Sequence, residues 1–213
     1  MQTKVQTILS YAKLGPVIPV VTIHDAKNAV PLAEALVEGG LPVVEITLRT
    51  EAALESIRQI AKAVPDAVVA AGTVVTQAQI NAVVDAGAKM IVTPGTSKAM
   101  AEALAYADIP VMPGCSTPTE ALELYAMGFE ALKFFPASVF GGPAWLKGIH
   151  GPLPQLTFCP TGGIDLNTAP DYLALPNVPC VGGTWVAPAK LIDAGDFDSI
   201  RRLSSDAVAK LKR

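Results

Sequence analysis

The sequence predicts an α/β protein, a (β/α)8 TIM barrel preceded by an N-terminal helix. Three observations predict it. Short apolar runs recur eight times along the chain. Helical stretches of about ten residues separate them, so strand and helix alternate and the sheet should be parallel. No dinucleotide-binding glycine fingerprint follows the first run, which sets an open doubly wound sheet behind a barrel. Eight units suffice for closure, and 213 residues is near the small end for that fold.

The elements follow in order. "MQTKVQTILSYAKLG" reads as an amphipathic helix and lacks the apolar core of a signal peptide. The strand candidates are "PVIPVV", "LPVVEITL", "DAVVAAG", "AKMIVTPG", "IPVMPG", "EALKFFP", "LTFCPTGG" and "NVPCVGG". Between them lie "AKNAVPLAEALVEGG", "TEAALESIRQIAKAVP", "TQAQINAVVDAG", "SKAMAEALAYAD" and "TPTEALELYAMG". Many of these helices begin at Thr, Ser or Asp, which suit N-caps, and several end at Gly. "GGPAWLKGIHG" is a short, glycine-rich sixth helix, and "LNTAPDYLALP" carries Pro170 inside the seventh. "DFDSIRRLSSDAVAKLKR" is a terminal amphipathic helix that closes the barrel. No compositional break divides residues 1–213, so one domain is expected.

Composition narrows the function classes. Apolar residues make up 51% and charged residues 16%, enough for a large core and unlike a disordered chain. A net charge of −3, no Lys/Arg run and no aromatic-plus-basic platform argue against nucleic acid or an anionic membrane as partner. No apolar run is long enough to span a bilayer. Cys115, Cys159 and Cys180 are odd in number with no CxxC, which fits a reducing cytoplasm and small core fillers. His24 and His150 stand far apart with no ligand spacing, so neither a metal site nor a cofactor is expected.

The polar residues inside the strands carry the chemistry. In "VVEITLRT", alternation puts Val44, Ile46 and Leu48 on one face and Glu45, Thr47 and Arg49 on the other. The apolar set should face the helices, leaving Glu45, Thr47 and Arg49 in the lumen. Glu45 and Arg49 are about 13 Å apart along the strand, so each needs another partner. In the sixth strand Lys133 and Phe135 turn inward, and Leu132 and Phe134 outward. The same rule turns Val69, Ala71 and Thr73 inward on the third strand, and Thr157, Cys159 and Thr161 on the seventh. A lysine walled by aromatic side chains is a Schiff-base candidate, because the neutral amine attacks carbonyls. Glu45 can carry protons, Arg49 can hold a substrate carboxylate, and Thr73 and Thr161 can supply hydroxyls.

Two glycine pairs, Gly162–Gly163 and Gly182–Gly183, end the last two strands. In a barrel of this kind those loops often bind phosphate through backbone N–H groups, here with the Thr184 hydroxyl helping. The "TPGTS" loop opens at the same mouth and can contact substrate through Pro94 and Gly95.

Taken together, "PVIPV", "VVEITLRT", "AAGTV", "TPG", "PGCSTPTE", "KFFPA", "FCPTGGI" and "VGGTW" resemble the bacterial 2-keto-3-deoxy-6-phosphogluconate (KDPG) aldolases, class I aldolases of the Entner–Doudoroff pathway. The resemblance runs nearly end to end. It implies a (β/α)8 barrel, a homotrimer, and cleavage of the phosphorylated keto acid to pyruvate and glyceraldehyde 3-phosphate. It implies Lys133 as the Schiff-base lysine and Glu45 as general acid/base. Arg49 and Thr73 match positions that bind the pyruvate carboxylate, with Thr161 beside them, and Phe135 matches an aromatic packed on the substrate. Gly162, Gly163 and Thr184 match phosphate contacts. Thr184 stands where the family commonly has Ser, and Ser138 where it often has an acidic residue. Related enzymes cleave 4-hydroxy-2-oxoglutarate or the galactonate epimer, and the motifs do not separate these substrates. A phosphosugar isomerase on the same barrel would use Glu45 as base, with Lys133 electrostatic. A metal-dependent aldolase lacks its ligand cluster. A non-catalytic barrel would carry the cost of burying Lys133 and Glu45 without return.

Overall fold

The structure is a computed structural model that describes residues 2–211. Each of the eight apolar runs forms a strand, and the fifth splits in two. The strands are β1 (Val17–Val21), β2 (Val43–Thr47), β3 (Val68–Gly72), β4 (Met90–Val92), β5 (Val111–Met112), β6 (Gly114–Cys115), β7 (Ala131–Phe134), β8 (Thr157–Pro160) and β9 (Val181–Gly183). The helices are α1 (Gln2–Tyr11), α2 (Ala29–Glu38), α3 (Ala53–Ala63), α4 (Gln77–Asp85), α5 (Lys98–Ala105), α6 (Pro118–Ala126), α7 (Gly142–His150), α8 (Ala169–Leu173), α9 (Ala189–Ala194) and α10 (Phe197–Leu211). A 3-10 turn, Ala26–Asn28, leads into α2.

Local chemistry explains where the helices begin. Thr76 and Thr117 each make a capping box, with Gln79 and Glu120 as the reciprocal partners, and Ser97 accepts from the Met100 N–H. Pro170 sits in the first turn of α8, where a missing N–H costs nothing, so it starts this helix and does not break it.

All strand pairs are parallel. They form two sheets, ordered β5-β4-β3-β2-β1-β9 and β6-β7-β8, where a single closed ladder was expected. Pro113 separates β5 from β6 and has no N–H to donate, so the ladder shifts partners there: β5 pairs with β4, and β6 with β7. At the other edge one bridge joins Thr161, just past β8, to Gly182 of β9.

The core has two layers. The outer layer includes Val44, Ile46, Leu132, Phe134 and Phe158 with helix residues such as Leu32, Ile57 and Leu146. The inner layer is smaller and contains Ile18, Val43, Ala70, Met90, Met112, Ala131, Cys159 and Cys180, joined by Ile8 and Ala12 from the N-terminal segment. One expectation fails here. Val69 and Ala71 belong to the outer layer and Ala70 to the inner one, so β3 is offset by one residue from the predicted facing. α10 packs on α2, where Ser204 lies against Gly39, and so completes the helical layer, while α1 covers the N-terminal end of the inner layer.

Candidate active site

β2 and β7 each place one charged side chain on the inner face. Lys133 Nζ donates to Glu45 at 2.9 Å to Oε1 and 3.2 Å to Oε2. Their exposures are only 5% and 3%, so each ion depends on the other for neutralisation. The outer face of β7 fixes the lysine's strand. Phe134 stacks on Trp145 of α7 at 4.2 Å between ring centroids, and Trp145 meets Phe158 of β8 edge-on at 5.5 Å. Phe135 continues past β7, and Lys133 Nζ lies 5.5 Å from its ring centroid. The amine is thus held between a carboxylate and an aromatic face. Such a pair can exchange a proton with no solvent between its members.

Gly72, at the end of β3, makes room for Glu45. A Cβ at that position would stand 2.2 Å from Glu45 Oε1. Sequence reasoning passed over Gly72, although a glycine ending an apolar strand is a signal of close approach. Thr73 then takes a left-handed φ of 60°, uncommon for a β-branched residue. The strand's alternation ends there, and the hydroxyl meets Arg49, whose Nε donates to Thr73 Oγ1 at 3.3 Å. Arg49 is exposed, two residues past the end of β2. Thr47, one inward position past Glu45, is fully buried and hydrogen-bonded to Thr22 and to the Val21 carbonyl.

The "TPGTS" loop is pinned against β6. The Gly114 N–H donates to Thr93 Oγ1 at 2.8 Å, and Thr96 Oγ1 donates to the Gly114 carbonyl at 2.9 Å. A Cβ on Gly114 would come within 2.6 Å of the Pro94 backbone. Gly114 is the register partner of Lys133, so Pro94 lies one strand from the amine, while Gly95 stands in open space.

The glycine pairs differ from each other. Gly162 and Gly163 are left-handed, with φ of 100° and 72°, and form a true turn after β8. A Cβ on Gly163 would sit 1.9 Å from Ser138 Oγ, and the Ser138 N–H donates to the Gly162 carbonyl at 3.1 Å. Ser138 therefore shapes this turn. Gly182 and Gly183 lie within β9, paired with Ile18 and Pro19 of β1. A Cβ on Gly182 would stand 2.1 Å from Thr161 Oγ1, and one on Gly183 would overlap the Trp185 ring at 1.7 Å. Thr161 Oγ1 and Trp185 Nε1 are both buried without a partner among the described residues. Thr184 is exposed beside them.

The remaining titratable candidates lie elsewhere. Burial pushes the Cys115 thiol up to about 12, with the Glu120 charge adding to it, so it stays a neutral thiol. His24 is exposed and contacts Asp193 at 3.0 Å. Among the described residues no group of three or more His, Cys, Asp or Glu could hold a metal ion. No helix among them is long and apolar enough to cross a membrane.

Residues 8–203 match a protein family described as KDPG and KHG aldolase. A 2-dehydro-3-deoxy-phosphogluconate aldolase from Dickeya dadantii is 48% identical over 195 residues, covering 92% of each chain. A KHG/KDPG aldolase from Escherichia coli is 44% identical over 211 residues, covering 99% of this chain and 98% of its own. Among solved structures, KDPG aldolase from Legionella pneumophila superimposes with a TM-score of 0.91 at 41% identity, over 93% of this chain and 97% of that one. That enzyme was captured with pyruvate as a covalent carbinolamine intermediate.

Proposed function

The chain belongs to the KDPG and KHG aldolase family, and from that premise we propose that it cleaves 2-keto-3-deoxy-6-phosphogluconate to pyruvate and glyceraldehyde 3-phosphate through a Schiff base on Lys133. The observation that carries this reading is the buried Lys133–Glu45 pair at 2.9 Å. A carbinolamine forms when an amine adds to a carbonyl, so the Legionella enzyme's pyruvate adduct supports the same chemistry here.

In this reading Glu45 takes a proton from Lys133, the neutral Nζ attacks the C2 carbonyl, and Glu45 returns that proton to the carbinolamine hydroxyl, so that water leaves and a protonated imine remains. Glu45 takes the proton from the C4 hydroxyl as the C3–C4 bond breaks. The electron pair of that bond moves into the imine as an enamine, and the aldehyde leaves. Glu45 returns its proton to C3, and hydrolysis frees pyruvate and the lysine. Arg49, with Thr73 against it, holds the keto acid's carboxylate. Phe135 and Pro94 wall the keto end, and the unpartnered Thr161 hydroxyl faces it. The Gly162–Gly163 turn receives the phosphate with Thr184, and Gly182 and Gly183 let Thr161 and Trp185 close in beside it. The name of the Escherichia coli relative supports a second cleavage, of 4-hydroxy-2-oxoglutarate to pyruvate and glyoxylate.

We read the two sheets as one (β/α)8 barrel domain spanning 1–213. The Thr161–Gly182 bridge at one seam and the single proline at the other support it. The homotrimer is carried over from the family resemblance, and an odd number of cysteines with no CxxC fits a reducing cytoplasm.

The test is to incubate the protein with pyruvate and borohydride and locate the added mass by peptide mapping. The expected site is Lys133, with labelling lost in Lys133→Met. Label on another residue, or none, overturns the proposal.

A further inference from the structure

Thr22 follows β1, and its hydroxyl lies 3.1 Å from Thr47 Oγ1. Thr47 Oγ1 is itself 2.9 Å from the Val21 carbonyl. A carbonyl only accepts, so the single hydroxyl hydrogen of Thr47 is committed to Val21. The hydrogen between the two threonines therefore belongs to Thr22. Thr22 Oγ1 is left with lone pairs alone: it can accept a further hydrogen bond and cannot donate one. Phosphate and carboxylate oxygens, being acceptors, gain nothing from it. A substrate hydroxyl does.

Its position says which hydroxyl. The β1–β2 register pairs Val20 with Glu45 and Val21 with Ile46, so its continuation sets Thr22 opposite Thr47. That is about 7 Å beyond Glu45 along the strand direction, towards the mouth. β1 lies between β9, which holds Gly182 and Gly183, and β2, which leads to Arg49. Thr47 is fully buried, while Thr22 is only partly so. Given the aldolase reading above, on which this inference rests, Thr22 faces the middle of a substrate held at its carboxylate and phosphate ends. Two hydroxyls lie there. The C4 hydroxyl must lose its proton during cleavage, which needs a base such as Glu45. The C5 hydroxyl keeps its proton throughout and needs only an acceptor.

We propose that Thr22 is a specificity-determining residue whose oxygen accepts a hydrogen bond from the C5 hydroxyl of the keto acid, the C2 hydroxyl of glyceraldehyde 3-phosphate. The reaction run in the addition direction tests it. Pyruvate is combined with D-glyceraldehyde 3-phosphate or with 3-phosphooxypropanal, which lacks that hydroxyl. Thr22→Val keeps the shape and removes the oxygen, and Thr22→Ala makes the same deletion with less bulk, so that either can carry the comparison. The expected result is a fall of about tenfold in kcat/KM for the hydroxylated aldehyde only, with the preference restored by Thr22→Ser. An equal fall on both aldehydes, no fall, or Thr22→Ser behaving like Thr22→Val overturns it. Borohydride trapping of pyruvate accompanies each protein. Trapping at Lys133 with an unchanged aldehyde preference removes the Thr22 assignment alone. Wild-type protein that traps nothing removes the aldolase reading and this assignment with it.

Discussion

Glu45 is nearly buried beside a nearly buried lysine, and both Oε atoms lie within 3.2 Å of Nζ. Replacing Glu45 by Gln keeps the shape and removes the charge. The lysine then loses its counter-ion and, on the proposed mechanism, the proton carrier is gone. Turnover should fall by about a hundred- to ten-thousandfold, the range for a lost general acid/base. Pyruvate affinity should fall far less, because Arg49 and Thr73 remain. Steady-state turnover and pyruvate binding, measured side by side, check this, and an unchanged turnover takes Glu45 out of the mechanism. Both residues of the pair were legible singly, since period-2 alternation flags a charge in an apolar strand. Alternation also turned both towards one lumen, but their direct contact across 88 residues was not legible, because alternation does not say which strands meet. β3 shows the limit of the rule. "VVAAGT" is nearly uniform in size and polarity, so its pattern does not fix its facing, and the chain turned out offset by one. Thr73 nonetheless reaches Arg49, because its left-handed backbone ends the alternation.

The start of α6 shows how one loop's charge supports an element. Glu120 Oε2 accepts from the Ser116 N–H at 2.6 Å and the Thr117 N–H at 3.0 Å, while the Glu120 N–H donates to Thr117 Oγ1 at 3.3 Å. Partial burial pushes the Glu120 carboxyl up, but the Ser116 and Thr117 donors outweigh it, and its pKa is lowered overall. A lowered folded pKa means the carboxylate's contribution is present above the unfolded value, near pH 4.3 for Glu, and is lost as pH falls through the folded one. Glu120→Gln should therefore lower stability by about 0.3–1 kcal/mol at neutral pH. The gap to wild type should close below about pH 4. Denaturant titrations across this range decide it, and a gap that stays constant with pH would assign the effect to packing. Caps of this kind made the starts of α4 and α6 readable, since Thr followed three residues on by Gln or Glu marks them directly. The split between β5 and β6 was harder to read. A proline inside "IPVMPG" is visible, but whether it sits at an edge or breaks a central ladder depends on neighbours far off in sequence.

On the scale of the whole molecule, the apolar seal and the candidate site lie at opposite ends of the strands. Glu45, Lys133, Arg49, Thr161 and the glycine turn gather towards the C-terminal ends, as the barrel reading requires. The N-terminal end of the inner core is covered by α1, whose Ile8 is 2% exposed, together with Ala12 just beyond it. A ten-residue helix is marginal by itself, so α1 owes its order to this burial, and in return it keeps water from Ile18, Val43 and Ala131. Ile8→Ala removes three carbons from that seal. The cost should be about 2–3 kcal/mol, the low end for a large-to-small core change, because a terminal helix can settle inward and Ala favours helix. The denaturant midpoint should drop with an unchanged m-value. kcat/KM per folded molecule should hold, because Ile8 belongs to the apolar inner layer and to neither the Lys133–Glu45 pair nor the glycine turn. A variant that kept its stability would mean that α1 is not a seal. One that lost activity in proportion to its stability would mean that the two ends of the strands are coupled.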